Sequence, residues 1–244
     1  MDKKGFTHPL VIAIGILLII GILLIYFCPS ILTAQYLKIK YSKTKIPAAY
    51  IELVHRDIQP TNINCKDCRE FSVFNLNFRT LRNDLVEEKA GSFYVTFAFQ
   101  QEKTLTIIKT GDTMMQLLEI MPQEDRERVK SFFGKDVYSS NYKYFQAMNN
   151  SNLDDVKLLQ FSKENTAKAI MAVAKGINAT ANGTKDAIYD FETENIKGFQ
   201  YGNSNDKSRV HIQFFDEDDR EYHVLTTGVT QEEIDFILSS IEVQ

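Results

Sequence analysis

The sequence predicts an α+β fold, an antiparallel sheet with helices packed on it, behind a single N-terminal transmembrane helix. Three observations predict it. The 19-residue run from Pro9 to Phe27, PLVIAIGILLIIGILLIYF, contains no charged side chain. Strand-like alternation then comes in two blocks, with a block of helical periodicity between them. The chain closes on an amphipathic helical pattern, and strands and helices gathered in separate blocks give an α+β arrangement.

About 20 apolar residues at about 1.5 Å rise cross a hydrocarbon core of about 30 Å, so residues 9–27 read as a membrane span. Tyr26 and Phe27 stand where an interfacial aromatic belt belongs. The run is longer than the roughly 7–15 apolar residues of a cleaved signal, and no small-x-small site follows it. The bulky IYF before Cys28 is unlike a lipoprotein cleavage site. A retained, single-pass signal-anchor results: residues 1–8 a short tail, 9–27 the transmembrane helix, 28–45 a basic juxtamembrane stem, and 46–244 the α+β domain. A short N-terminal tail ahead of a first span usually stays inside, which places the domain outside the cytoplasm. The lysines of the stem favour the alternative, a cytoplasmic domain, by the same rule.

Charge follows this division. Residues 1–45 carry six lysines and one acid, and the remaining 199 carry 22 basic and 31 acidic side chains. An acidic main domain argues against nucleic acid as partner. Lys38, Lys40, Lys43 and Lys45 are expected to touch anionic headgroups of the lipid bilayer.

Beyond Pro47, AYIELV reads as a first short strand. REFSVFNLNFRT alternates as Phe71 and Val73, then shifts phase to Phe74, Leu76 and Phe78, which reads as one bulged or doubly buried strand. SFYVTFAFQ and TLTIIKT form an antiparallel hairpin about the turn at Gln100–Lys103. Three helical segments follow: DTMMQLLEIM stopped by Pro122, QEDRERVKSFF ended by Gly134, and SNYKYFQAMNN. The best helix is 163–175, with Ala167, Ile170, Met171 and Ala174 on one face, Ser162 as cap and Gly176 past its end. Its alanines permit close approach of a neighbour. AIYDFET, IKGFQYG, RVHIQFF and EYHVLTT read as strands, and Thr230 with Glu233 begins the last helix as a capping box.

The strand EFSVFNLNF, the hairpin through FYVTFAF, the later meander and the closing EEIDFILSSI together resemble the PsbP-like α+β sandwich over residues 46–242. The segment SSNYKYFQAMNN resembles one in uncharacterised membrane-anchored bacterial proteins. The resemblance implies an accessory or binding module and carries no catalytic residues with it.

Candidate chemistry begins with Cys65 and Cys68. Two cysteines separated by two residues suit a redox pair, half of a zinc site or a small disulfide. A redox pair needs a helix N-terminus behind it, whereas a strand follows here. A structural zinc site needs about four ligands, and the only other cysteine is Cys28. A local disulfide is therefore the expectation for a domain outside the cytoplasm. His211 and His223 lie on neighbouring strands. A four-residue loop, Glu217–Arg220, sets His223 opposite Phe214 and His211 on the other face, so no shared site is expected. DEDDRE at 216–221 lacks calcium-loop spacing and reads as a solvated hairpin tip. Phosphate-loop, dinucleotide, zincin and nucleophile-elbow motifs are missing from the sequence.

These readings predict a membrane-anchored accessory or binding domain of the cell envelope. It is expected to have a protein partner there, no cofactor, no metal and no catalytic residues. A thiol–disulfide protein using Cys65 and Cys68 is the first alternative. A small-ligand carrier with a cavity between sheet and helices is the second.

Overall fold

The structure, a computed structural model, describes residues 29–58, 68–111, 113–157, 160, 162–183, 187–203 and 209–244. The Pro9–Phe27 run and Cys65 lie outside the described residues. Among those described, no helix is long and apolar enough to cross a membrane.

The described chain begins with helix α1 (Pro29–Lys40) and a 3₁₀ turn at Pro47–Tyr50. Strands β1 (Leu53–His55), β2 (Arg69–Val73), β3 (Leu76–Thr80), β4 (Leu85–Ala90), β5 (Tyr94–Phe99) and β6 (Thr104–Lys109) follow. Helices α2 (Thr113–Ile120), α3 (Gln123–Phe133), α4 (Asn141–Asn150) and α5 (Lys163–Ala181) form the middle. The chain ends with β7 (Ile188–Glu192), β8 (Lys197–Tyr201), β9 (Val210–Phe215), β10 (Glu221–Thr227), α6 (Gln231–Ser239) and β11 (Glu242–Val243). The fold class is α+β.

Eight strands form one sheet in the order β1-β7-β8-β9-β10-β6-β5-β4. Every pair in it is antiparallel except β1 with β7. A three-stranded sheet, β11-β3-β2, lies apart from it. Phe71 and Phe78 of the small sheet, with Ile234, Ile237 and Leu238 of α6, pack on one face of the large sheet against Phe97, Ile212 and Phe214. On the opposite face, Tyr144, Phe145 and Met148 of α4 and Ile170 and Met171 of α5 cover Phe199, Tyr201 and Phe215. The central strand β9 is therefore buried at every position, whereas β5 and β6 alternate buried with half-exposed residues. The helical layer lies over the β7–β9 half of the sheet.

Several sequence expectations are corrected. Residues 69–80 are two strands of a hairpin, with Phe74 at φ 58° in its turn, so the phase shift marks a chain reversal and not a bulge. The segment read as a first strand from AYIELV begins as the 3₁₀ turn, and only Leu53–His55 pairs. Gly176 does not end the long helix. It sits inside α5 because a Cβ there would fall 2.4 Å from Ile46 Cγ2 and 2.8 Å from Ala49 Cβ. The terminating residue is Gly183, φ 77°, just past the helix. The charged edge strand β4 has no apolar alternation and escaped the pattern. Its exposed acids and the shift in register between Leu85 and Glu87 are what protect a sheet edge. The hairpin of β5 and β6 and the Thr230–Glu233 capping box stand as expected.

The stem is not separate from the domain. Ala34 of α1 is buried in a cluster with Ala49, Leu153, Val156, Ala169 and Ala172. Gln35 Nε2 donates to the Lys157 carbonyl at 3.2 Å, and Lys38 Nζ donates to that of Val156. Small side chains on α5 allow this seam to close.

Candidate functional site

The structure places the sequence-derived candidates apart. Cys68 stands immediately before β2 and is disulfide-bonded, its partner lying outside the described residues. Lys38 is held by backbone carbonyls, whereas Lys40 lies 5.2 Å from the ring centroids of Tyr36 and Tyr41. Lys43 and Lys45 follow in the exposed turn after α1.

The histidine expectation is overturned. Glu221 pairs with Phe215, so the loop is the five residues 216–220, and the register sets His223 opposite Gln213 and His211 opposite Leu225. One residue of register moves a side chain to the other face. Both imidazoles therefore face the helical layer, with His211 Nε2 2.6 Å from His223 Nδ1 and the rings 4.8 Å apart. The loop gains its extra residue because Asp219 takes φ 62°. Asp216, almost fully buried, accepts bonds from the Arg220 backbone N–H and from its Nε. The acidic tip is thus partly structural, not merely solvated.

From these histidines a polar row runs beneath α4 and α5. His223 Nε2 donates to Glu221 Oε1 at 2.8 Å, and Gln213 Nε2 donates to the same oxygen at 2.6 Å. Tyr201 OH donates to Gln213 Oε1 at 3.2 Å and accepts from the Nδ2 groups of Asn149 and Asn178. These bonds assign the tautomers for neutral rings: His223 is protonated at Nε2, so its Nδ1 accepts from His211 Nε2. His211 Nδ1, Glu221 Oε2 and Asn149 Oδ1 are buried without a hydrogen-bond partner. Burial, His223 and Arg209 hold the pKa of His211 well below the usual imidazole value. Burial raises that of Tyr201 far above the usual phenol value.

A carboxylate–imidazole–imidazole row has the form of a general base. Its last lone pair, however, is on a side chain only 2% exposed and stacked on Tyr201 at 5.4 Å between centroids. No hydroxyl or thiol among the described residues hydrogen-bonds to it. The row therefore ties strands β8, β9 and β10 to α4 and α5. Among the described residues, no group of three His, Cys, Asp or Glu side chains is placed to hold a metal ion.

A second feature lies on the outer side of α5. An apolar groove of about 440 Å³ runs between α1, α5 and the Met121–Pro122 corner that joins α2 to α3. Thr33 and Leu37 form one wall, and Ile170, Val173, Ala174 and Ile177 the other. Asn178 and Tyr144 also line it, so the polar row reaches the groove through Asn178. Its size falls within the roughly 300–1,000 Å³ of small-ligand sites. The ligand-carrier reading placed a cavity between sheet and helices, but that interface is filled by Tyr142, Phe145, Phe199 and Phe215. The groove is between helices. Its sequence signal is a second stripe on α5, Ile170, Val173, Ala174, Ile177 and Ala181, running past Gly176.

No family model, curated protein or solved structure matches this chain.

Proposed function

We propose that the chain is a single-pass, membrane-anchored binding domain of the cell envelope, without enzymatic activity of its own. The observation that carries this reading is the seating of α1 on α5. The helix begins two residues after the apolar run, and its buried Ala34 and its Gln35 and Lys38 bonds fasten it to the domain. A span continuing into such a helix would hold the domain in a fixed pose at the bilayer and not on a loose stem. The buried polar row serves as a tie between sheet and helices, since no hydroxyl or thiol among the described residues bonds to its terminal nitrogen. The PsbP-like resemblance in element order points to a binding module.

The thiol–disulfide reading uses Cys65 and Cys68, of which Cys68 is among the described residues. A strand and not a helix follows it, so no helix N-terminus lowers a thiol pKa there. We read a Cys65–Cys68 staple, which peptide mapping without reduction would reveal as one closed CKDC fragment.

Fractionation and labelling test the anchor and the side it faces. The full chain should pellet with membranes and resist alkaline carbonate. Phe93, 61% exposed on the β4–β5 turn, is the labelling position. A Phe93→Cys variant should react with a membrane-impermeant maleimide in intact cells, above the background of the parent chain. Release by carbonate would remove the anchor, and reaction only after lysis would place the domain in the cytoplasm.

A further inference from the structure

We propose that the groove between α1 and α5 holds an acyl chain of a bilayer phospholipid, an inference that rests on the anchored reading above. Depth is the first argument. On the anchored reading, in which α1 continues the span, Thr33 stands about 9 Å and Leu37 about 15 Å above the end of the apolar run, at about 1.5 Å per residue. The polar layer on each side of the hydrocarbon core is about 5–8 Å thick. The groove wall therefore starts just above the headgroups, where a tail drawn out of the leaflet reaches it.

Charge is the second argument, and it separates a bilayer lipid from a free fatty acid. Among the described residues lining the groove Asp125 is the one that carries charge, and Arg128 already pairs with it. A carboxylate or phosphate inside would meet no cation and one acid. A tail can enter only with its headgroup left outside. Lys40, one turn beyond Leu37 on α1 with its ammonium over the Tyr36 ring, is a cation outside the groove for the phosphate of a lipid drawn up with its tail. The third argument is Ile177, a β-branched apolar side chain at the groove that is 54% exposed.

The chain contains no tryptophan, so one introduced indole reports without background. The full chain carrying Ile177→Trp is reconstituted into phosphatidylcholine vesicles, with and without bromine on the acyl chains. Phe93→Trp, in the turn between β4 and β5, serves as the reference position. The groove indole should lose the larger part of its emission in brominated vesicles, while the reference keeps its own. Adding Ala174→Phe, which fills the groove, should restore emission at position 177. Ala181→Trp, at the exposed end of α5, is a second reporter should Ile177→Trp fold poorly. Equal emission at 177 in both vesicles, with protein in the pellet, overturns the groove proposal and leaves the anchor standing. Equal quenching at 93 and 177 also overturns it, because the domain then simply lies on the bilayer. Quenching by added brominated fatty acid but not by brominated phospholipid overturns the bilayer source. Protein absent from the pellet overturns the anchored reading itself.

Discussion

His211 Nε2 lies 2.6 Å from His223 Nδ1, and the direction of that bond is set from the far end of its row. Glu221 Oε1 accepts the hydrogen bond from His223 Nε2, which leaves His223 Nδ1 to accept. His211 must then remain neutral and donate. A second proton on His211 would put a cation beside Arg209 with no acceptor at its Nδ1.

This arrangement fixes the response to acid. His211 binds a proton near pH 6.5 when unfolded, while burial, His223 and Arg209 hold its folded pKa well below that. Below about 6.5 the unfolded chain therefore binds more protons than the native one, and stability falls with pH. The slope approaches about 1.4 kcal/mol per pH unit. Urea unfolding from pH 7.5 to 5.5 should show this loss, and His211→Gln should flatten it. An unchanged slope in the variant would assign the effect to another group.

Asp219 links the β9–β10 turn to the helical layer. Its carboxylate accepts from Ser140 Oγ at 3.0 Å, from the Tyr142 N–H at 3.0 Å and from the Asn141 N–H. A charged acceptor across the first N–H groups of α4 satisfies donors the helix leaves open and opposes its dipole. Asp219→Ala should cost about 1–2 kcal/mol in chemical denaturation, and Asp219→Asn about half of that. Asp218, whose side chain is 75% exposed beside Arg220, is the comparison. Its replacement by alanine should stay within about 0.5 kcal/mol.

How far these contacts are visible in the sequence depends on their range. The hairpin of β5 and β6, the capping box at Thr230 and the four central helices rest on local periodicity and caps, and a local pattern displays them. The histidine pair was missed because it depends on a single residue of register, set by Asp216 and by the left-handed backbone of Asp219. No alternation pattern encodes that. The Asp219–α4 bond joins positions 78 residues apart in the chain, so only the fold brings them together. The groove is an intermediate case. Its stripe on α5 is legible, yet the wall formed by α1 follows only once the basic stem is seen to dock.

Gly198 gives a steric test of the large sheet. A Cβ there would stand 2.2 Å from the Gln213 carbonyl oxygen and 2.7 Å from Phe214 Cα, both backbone atoms of β9. Backbone of a strand buried on both faces cannot move aside as the end of a long side chain can. Gly198→Ala should cost about 1–3 kcal/mol, the range for overpacking a tight interior. Gly111, where an added Cβ meets nothing within 4 Å, should accept alanine with no measurable loss in the same melt.

Lys175 gives the alkaline counterpart to His211. Its side chain is fully buried in α5, and Nζ donates to the carbonyls of Ile51 at 2.6 Å and Asn149 at 3.4 Å. Burial lowers its pKa to about 8 from 10.5, with Asp155 and Glu52 opposing the change. Between those two values the unfolded chain binds the extra proton, so stability rises with pH. Tyrosines act in the opposite sense above about pH 10, because burial raises Tyr144 to about 12 while an unfolded phenol ionises near 10. The gain is therefore confined to about pH 8–10 and approaches about 1.4 kcal/mol per pH unit. Lys175→Met removes the titrating group and should abolish that rise in urea unfolding at pH 8, 9 and 10. A rise that survives the substitution would show that the proton is lost elsewhere.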